Sequence, residues 1–128
     1  MTYKAPIKDT LFVLTTLAAT RDTAALAGFE HADLETATAI VEECATLCEG
    51  SMAPLNAAGD KNPAAWNAGA VTTTEGFGQA YRELASGGWQ GLPHPVQHGG
   101  QGLPKVVATA AIEFTNSANL GFGLCALT

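Results

Sequence analysis

The sequence predicts an all-α fold, on the strength of three observations. Apolar residues recur at three- and four-residue intervals along most of the chain, stretches with β-strand alternation are few, and alanine is abundant. The 128 residues suit one domain. Hydrophobic residues make up 47% of the sequence and charged residues only 14%. The chain can therefore fill a helical core, but it has few charges for its surface, so we expect part of that surface to be covered.

The first predicted helix is short. Asp9 or Thr10 can cap it, and the apolar spacing runs to about Thr20. Residues 21–32 have no helical period and are predicted to form a connection.

The second predicted helix is longer and begins at Asp33, a residue type favoured as an N-cap. One face carries apolar residues and the other carries four glutamates: Glu35, Glu42, Glu43 and Glu49. Gly50 and Pro54 are expected to mark a frayed or kinked end. Residues 56–71 are predicted to be a loop in which Trp66 anchors on the body of the domain.

The third predicted helix opens at the threonine cluster 72–74, in which Thr72 has capping-box spacing to Glu75. Its predicted apolar face consists of Phe77, Ala80, Tyr81, Leu84 and Ala85. Two glycines, Gly87 and Gly88, are predicted to end this helix.

Residues 87–104, GGWQGLPHPVQHGGQGLP, are predicted to form an ordered loop of defined shape. Glycine allows positive φ or close backbone approach, proline restricts φ, and the Trp89 ring needs a place to bury. Pro104 then begins a fourth helix. Its inward residues are predicted to be Val107, Ala111 and Phe114.

Charge and cysteine usage exclude several classes of function. The net charge of −6 and the lack of a basic stripe argue against nucleic acid as a partner. Three cysteines, Cys44, Cys48 and Cys125, do not form a disulfide framework. No apolar stretch is long enough for a membrane span, which needs about 20 residues. We therefore expect a cytoplasmic protein.

Four sequence features suggest a metal, nucleotide, redox or catalytic site, but their neighbouring residues do not favour one. His94 and His98 flank Pro95 and have no third ligand nearby, so no metal site is expected. The glycines at 99–102 lack the strand, lysine and hydroxyl of a P-loop. Cys44 and Cys48 are interpreted as small core residues rather than a redox pair. Glu113 is expected to form an ion pair or lie at a solvated helix edge rather than act as a catalytic base.

The last segment, from Ala118 to Thr128, is apolar on all sides. A helix of this kind is normally buried. We therefore expect the natural polypeptide to continue, or a partner to cover this segment.

Several strings in the sequence resemble a known enzyme family. The string FGQAYRELASGGWQGLPHPVQHGGQGLP, followed by an alanine-rich helix and EFTNSANLGFGLCALT, resembles the amino-terminal helical domain of acyl-CoA dehydrogenases. The opening MTYKAPIKDTLFVL and the string APLNAAGD at residues 53–60 resemble the long subfamily of 3-methylmercaptopropionyl-CoA dehydrogenase-like enzymes. The resemblance implies an extension helix and connection over residues 1–32. It implies an incomplete amino-terminal helical domain over residues 33–128, truncated within its last helices.

The resemblance implies a flavin enzyme that uses FAD to oxidise an acyl-CoA thioester to the α,β-enoyl-CoA. In that family a carboxylate base removes the α-proton while the flavin accepts a hydride from the β-carbon. The implied partners are an acyl-CoA, an electron-transfer acceptor and further copies of the chain in a homo-oligomer. The flavin-contact motif and the catalytic carboxylate would lie outside this sequence. We therefore expect no catalytic, cofactor-binding or metal-binding residue here, and no activity from the fragment alone.

The family's acyl-chain pocket is partly lined by the helix that matches residues 118–128. By position, the resemblance assigns Phe122, Gly123 and Ala126 to that pocket, and ordinary helix packing is the alternative for each. The alternative function for the whole chain is a free-standing helical module for protein–protein interaction without enzymatic activity.

Overall fold

The computed structural model describes residues 3–18 and 20–126 and shows a predominantly helical chain, which confirms the all-α prediction. The helices of the described residues are α1 (Ile7–Thr16), α2 (Thr20–Ala24), α3 (Leu34–Leu47), α4 (Ala53–Lys61), α5 (Phe77–Ser86), α6 (Lys105–Ala118) and α7 (Leu120–Ala126). A π-helical turn, Cys48–Met52, joins α3 to α4, and two 3₁₀ turns, Trp89–Gly91 and Val96–His98, lie between α5 and α6. None of the described helices has the length and apolar character needed to cross a membrane.

The first helix begins earlier than predicted, because Pro6 and not Asp9 or Thr10 precedes it. Proline suits a helix start, where an N–H group has no partner within the helix. The Pro6 carbonyl accepts a hydrogen bond from the Thr10 N–H at 3.0 Å. The predicted connection after it contains the short helix α2. There the buried Thr20 hydroxyl donates to the Leu14 carbonyl at 2.6 Å.

The Asp33 cap is confirmed, since its carboxylate accepts a hydrogen bond from the Thr36 N–H at 2.8 Å. α3 ends at Leu47, close to the frayed or kinked end predicted at Gly50 and Pro54, but the helical path does not stop there. The chain widens into the π-helical turn and continues as α4 to Lys61, with Pro54 in the first turn of α4. A proline at that position removes no hydrogen bond that the helix needs.

Part of the predicted loop over residues 56–71 is a β-hairpin. Strand β1 (Ala65–Asn67) pairs antiparallel with β2 (Ala70–Thr72), and Trp66 lies opposite Val71. Ala68 and Gly69 connect the strands with positive φ at both residues, as a type I′ turn requires. Trp66 is 73% exposed, so its predicted anchoring on the domain is wrong.

The third predicted helix is α5, which begins at Phe77, after the predicted opening at residues 72–74. Thr72 lies in β2, and the residue before α5 is Gly76, whose φ of 89° places it in the left-handed region. Gly87 and Gly88 end the helix as predicted, and Gly88 has a φ of 71°. Within the predicted apolar face Ala80 and Leu84 are buried and Phe77 is half-buried, whereas Tyr81 and Ala85 are exposed.

Residues 87–104 form the ordered loop that the sequence predicts. Backbone hydrogen bonds close the loop on itself, because the Gly102 N–H donates to the His94 carbonyl at 2.8 Å and the Leu103 N–H donates to the Leu92 carbonyl at 2.9 Å. Leu92 and Leu103 are buried. A Cβ atom on Gly100 would lie 2.1 Å from the His94 carbonyl oxygen, so the fold needs glycine there.

The core lies between α3 with its π-helical turn and α6, and α1 and α7 pack against α6 as well. Pro104 directly precedes α6, and Val107, Ala111 and Phe114 are buried, as predicted. This arrangement places α7 and the end of the loop on the same side of α6.

Candidate functional site

A cavity of about 180 Å³ lies where the end of α5, the loop, α6 and α7 meet. Its walls are mainly apolar and include a few polar side chains. The lining residues are Leu84, Trp89, Gln90, Pro93, His94, Ala108, Ala111, Ile112, Thr115, Asn116 and Gly123. A mainly apolar cavity with a few polar groups is the usual form of a small-molecule site.

Trp89 forms one wall of this cavity. Its ring packs against the core but is only half-buried, so the predicted burial of Trp89 is partly correct. A Cβ atom on Gly87 would lie 2.5 Å from the indole nitrogen of Trp89. Glycine at position 87 therefore both ends α5 and leaves room for the indole ring.

The opposite wall is formed by α6 and α7, which approach each other closely. A Cβ atom on Gly123 would collide with the Asn116 side chain, at 2.0 Å from its side-chain oxygen. That Asn116 oxygen is buried and has no hydrogen-bond partner among the described residues. The neighbouring Thr115 hydroxyl is satisfied by the Ala111 carbonyl at 2.9 Å. Asn116 is thus a polar group at the cavity wall with hydrogen-bonding capacity to spare.

The start of α7 is held by Asn119. Its side-chain oxygen accepts a hydrogen bond from the Phe122 N–H at 3.1 Å, which satisfies an otherwise unpaired donor of the first turn. Its side-chain nitrogen donates to the Met52 carbonyl at 3.3 Å, so the cap also ties α7 to the π-helical turn. Asn119 was not among the predicted site residues, although asparagine before a helical segment is a recognisable cap signal.

The three residues that the resemblance assigns to an acyl pocket lie differently. Gly123 lines the cavity. Phe122 is buried but does not line it, because its ring packs against Phe77 and Tyr81 at centroid distances of 5.8 and 6.5 Å. Ala126 is the last residue of α7, and its side chain lies outside the described residues. The structure therefore brings Gly123, and not Phe122, to the cavity.

Cys44 and Cys48 lie in the core, as the sequence predicts. Their sulfur atoms are 3.9 Å apart and both residues are buried. The hydrogen bond with Cys48 and burial raise the pKa of Cys44 above its ordinary value. A thiol with a raised pKa is mostly protonated near neutral pH and is a poor nucleophile.

The remaining titratable groups do not converge on the cavity. His94 contributes to its wall from an exposed position, and Glu113 is exposed on α6, which agrees with the predicted solvated helix edge. Glu49 pairs with Lys4 at 2.5 Å and also accepts a hydrogen bond from the Ala5 N–H. These two contacts lower the pKa of Glu49. They also attach the segment before α1, at Lys4 and Ala5, to the π-helical turn.

Comparison with known proteins agrees with the resemblance. No protein-family model matches the chain. The chain is 42% identical over 127 residues to 3-methylmercaptopropionyl-CoA dehydrogenase of Ruegeria pomeroyi. The match covers 99% of this chain but only 22% of the length of that relative. The chain therefore matches the amino-terminal region of an acyl-CoA dehydrogenase.

Proposed function

We propose that this chain is the amino-terminal helical domain of a FAD-dependent acyl-CoA dehydrogenase that oxidises an acyl-CoA thioester to the α,β-enoyl-CoA. The observation that carries the proposal is the 42% identity over 99% of the chain. The chain alone is expected to be inactive, because it corresponds to only 22% of its relative.

We propose that the cavity beside Gly123 receives the end of the acyl chain. Its volume of about 180 Å³ is below the range of about 300–1,000 Å³ that is usual for sites that enclose a whole ligand. It is close to the ~150 Å³ of a protein cavity that holds benzene. A few methylene groups or atoms of similar size fit such a space, whereas a CoA moiety does not.

The cavity does not fit FAD. It is too small for an isoalloxazine ring system with its ribityl chain, and none of its lining residues is lysine or arginine to pair with a pyrophosphate. We therefore assign the flavin and the catalytic carboxylate to parts of the enzyme outside this chain. The domain's own contribution is to exclude water from the acyl end and to position it.

The proposed partners follow from the same assignment: an acyl-CoA, an electron-transfer acceptor, and further copies of the chain in a homo-oligomer. We propose a cytoplasmic location, because Cys44 and Cys48 lie in the core as thiols 3.9 Å apart and not as a disulfide. The alternative of a helical interaction module is supported by Leu120 and Leu124, which are each 56% exposed on α7.

A chimera tests the proposal. This chain replaces the corresponding amino-terminal region of the Ruegeria pomeroyi enzyme, and the product is assayed for flavin absorbance and for oxidation of 3-methylmercaptopropionyl-CoA. We expect a yellow, active chimera. The companion variant Gly123→Val displaces the Asn116 side chain at the cavity wall and is expected to retain flavin while kcat/KM falls at least tenfold.

Two outcomes contradict the proposal. A folded chimera that binds flavin but has no dehydrogenase activity would show that this chain cannot serve as the amino-terminal domain. Unchanged kcat/KM for the folded Gly123→Val chimera would remove the cavity from the acyl site while leaving the domain assignment in place.

A further inference from the structure

Three sulfur atoms follow one another through the core of the domain. The Cys44 and Cys48 sulfurs are 3.9 Å apart, and the Cys48 and Met52 sulfurs are 4.0 Å apart. The three residues are buried, with at most 2% of their surface exposed. We call this set, Cys44, Cys48 and Met52, the sulfur row.

The backbone explains why the third sulfur joins the first two. Residues four apart lie on one face of a helix, which aligns Cys44 with Cys48. The π-helical turn then begins at Cys48, and its hydrogen bond runs from the Ala53 N–H to the Cys48 carbonyl. The turn keeps Met52 facing the core, and the Asn119 side chain donates to its carbonyl. Such turns inside helices occur frequently at functional sites.

We propose that the sulfur row is a binding site for a soft monovalent metal ion, Cu(I), held by the sulfurs of Cys44 and Cys48 with the Met52 thioether as third donor. Cysteine and methionine sulfurs are the donors that select Cu(I). As the metal binds, each of the two thiols releases its proton to solvent and the copper stays in the +1 state.

The distance between the Cys44 and Cys48 sulfurs fits a metal ion held by two thiolates. Metal–thiolate bonds are about 2.3 Å long, so a metal between two sulfurs 3.9 Å apart makes an angle of about 120° with them. That angle leaves a third position open, and the Met52 thioether, 4.0 Å from the Cys48 sulfur, is the third sulfur donor nearest to the pair. The nearest oxygen atoms, the Ala111 carbonyl at 3.7 Å from the Cys44 sulfur and the Thr115 hydroxyl at 3.9 Å from the Cys48 sulfur, are neutral groups, so the site offers a hard ion no carboxylate.

This inference does not depend on the acyl-CoA dehydrogenase assignment, and the 128-residue chain can test it directly. The chain is refolded without oxygen in the presence of one equivalent of Cu(I), so that burial of the sulfurs does not limit access. It is then challenged with a chromophoric Cu(I) chelator, and bound copper is measured after gel filtration. We expect one copper per chain, with only sulfur neighbours at ~2.3 Å in X-ray absorption spectra.

Matched variants identify the ligands. Cys48→Ala is expected to lower Cu(I) affinity at least 100-fold, and Met52→Leu, which keeps the volume, about tenfold. Cys125→Ser, at the exposed cysteine, is the control and should retain full affinity. Circular dichroism verifies that each variant is folded.

Several results would overturn the proposal. A folded wild-type chain that loses its copper to the chelator has no such site. Nitrogen or oxygen neighbours in the absorption spectrum place the metal elsewhere. Loss of copper in Cys125→Ser, with retention in Cys48→Ala, assigns binding to the exposed thiol.

Discussion

At the residue scale, the two tryptophans show how far environment outweighs residue type. Trp89 packs against the core and lines the cavity, whereas Trp66 stands on the hairpin with 73% of its surface exposed. The sequence favoured a buried position for both rings. Local sequence does not show which ring is buried, because burial of an aromatic ring is favourable wherever an apolar surface is available to it.

These positions lead to a paired prediction. Trp89→Ala should lower the free energy of unfolding by about 2–3 kcal/mol, less than the ~3–5 kcal/mol expected for a fully buried ring, because this ring is half-buried. Trp66→Ala should change it by less than about 0.5 kcal/mol. Urea denaturation of the two variants measures the difference. Equal losses of stability would contradict the difference in burial between the two rings.

A second prediction concerns the contact between α6 and α7. Gly123→Ala should destabilise the domain by about 1–3 kcal/mol, because the new Cβ overlaps the Asn116 side-chain oxygen. Removing that oxygen in the double variant Gly123→Ala/Asn116→Ala should recover part of the loss. A double-mutant cycle by chemical denaturation gives the coupling. Strictly additive effects would show that the two residues do not touch.

At the element scale, the loop over residues 87–104 depends on one close backbone approach. Gly100→Ala should lower the free energy of unfolding by ~3 kcal/mol or more, because the new Cβ would collide with the His94 backbone. That backbone cannot move without breaking the hydrogen bond from the Gly102 N–H to the His94 carbonyl. Gly99→Ala is the control. Its Cβ meets nothing within 4 Å, so only the positive φ of 83° is penalised, at roughly 1–2 kcal/mol. Thermal unfolding distinguishes the two, and a larger loss at Gly99 would reject this account of the loop.

The cap of α3 yields a prediction about pH. The hydrogen bonds from Thr36 lower the pKa of Asp33 below its ordinary value of 3.8. The cap's contribution is therefore present above that value and is lost as the pH falls through the lowered pKa. Wild type should lose more stability than Asp33→Asn between pH 5 and about pH 2, since asparagine caps the helix without titrating. Urea midpoints across this range measure the difference, and parallel curves would contradict it.

At the scale of the whole molecule, α7 leaves apolar surface exposed. Leu120 and Leu124 lie four residues apart and therefore on one side of the helix. We expect the chain to self-associate through this side, as the apolar end of the sequence predicts. Sedimentation should show a concentration-dependent dimer that Leu120→Lys/Leu124→Lys disrupts. Leu26→Lys, at an exposed leucine outside α7, is the control. A monomer at all concentrations would reject the prediction.

The boundaries of the elements were predictable only where a local signal acts alone. Asp33 caps α3 through a hydrogen bond within its own turn, and Gly88 follows α5 with a positive φ. The sequence located both helix ends correctly, because neither signal depends on distant residues. The π-helical turn and the hairpin were missed. Gly50 and Pro54 normally signal a helix end, but here the packing of Met52 into the core carries the helix past them.

The sequence by itself determined the helical class, the ordered loop, the buried face of α6 and the similarity to the amino-terminal region of an acyl-CoA dehydrogenase. These properties follow from short-range spacing and from residue identity. Only the tertiary structure decided that Gly123 and not Phe122 lines the cavity, and that Met52 joins Cys44 and Cys48. The first result depends on how separate helices rotate and approach one another, which side-chain packing across the core determines. The second depends on the π-helical turn, which keeps Met52 in the core and has no local sequence signal.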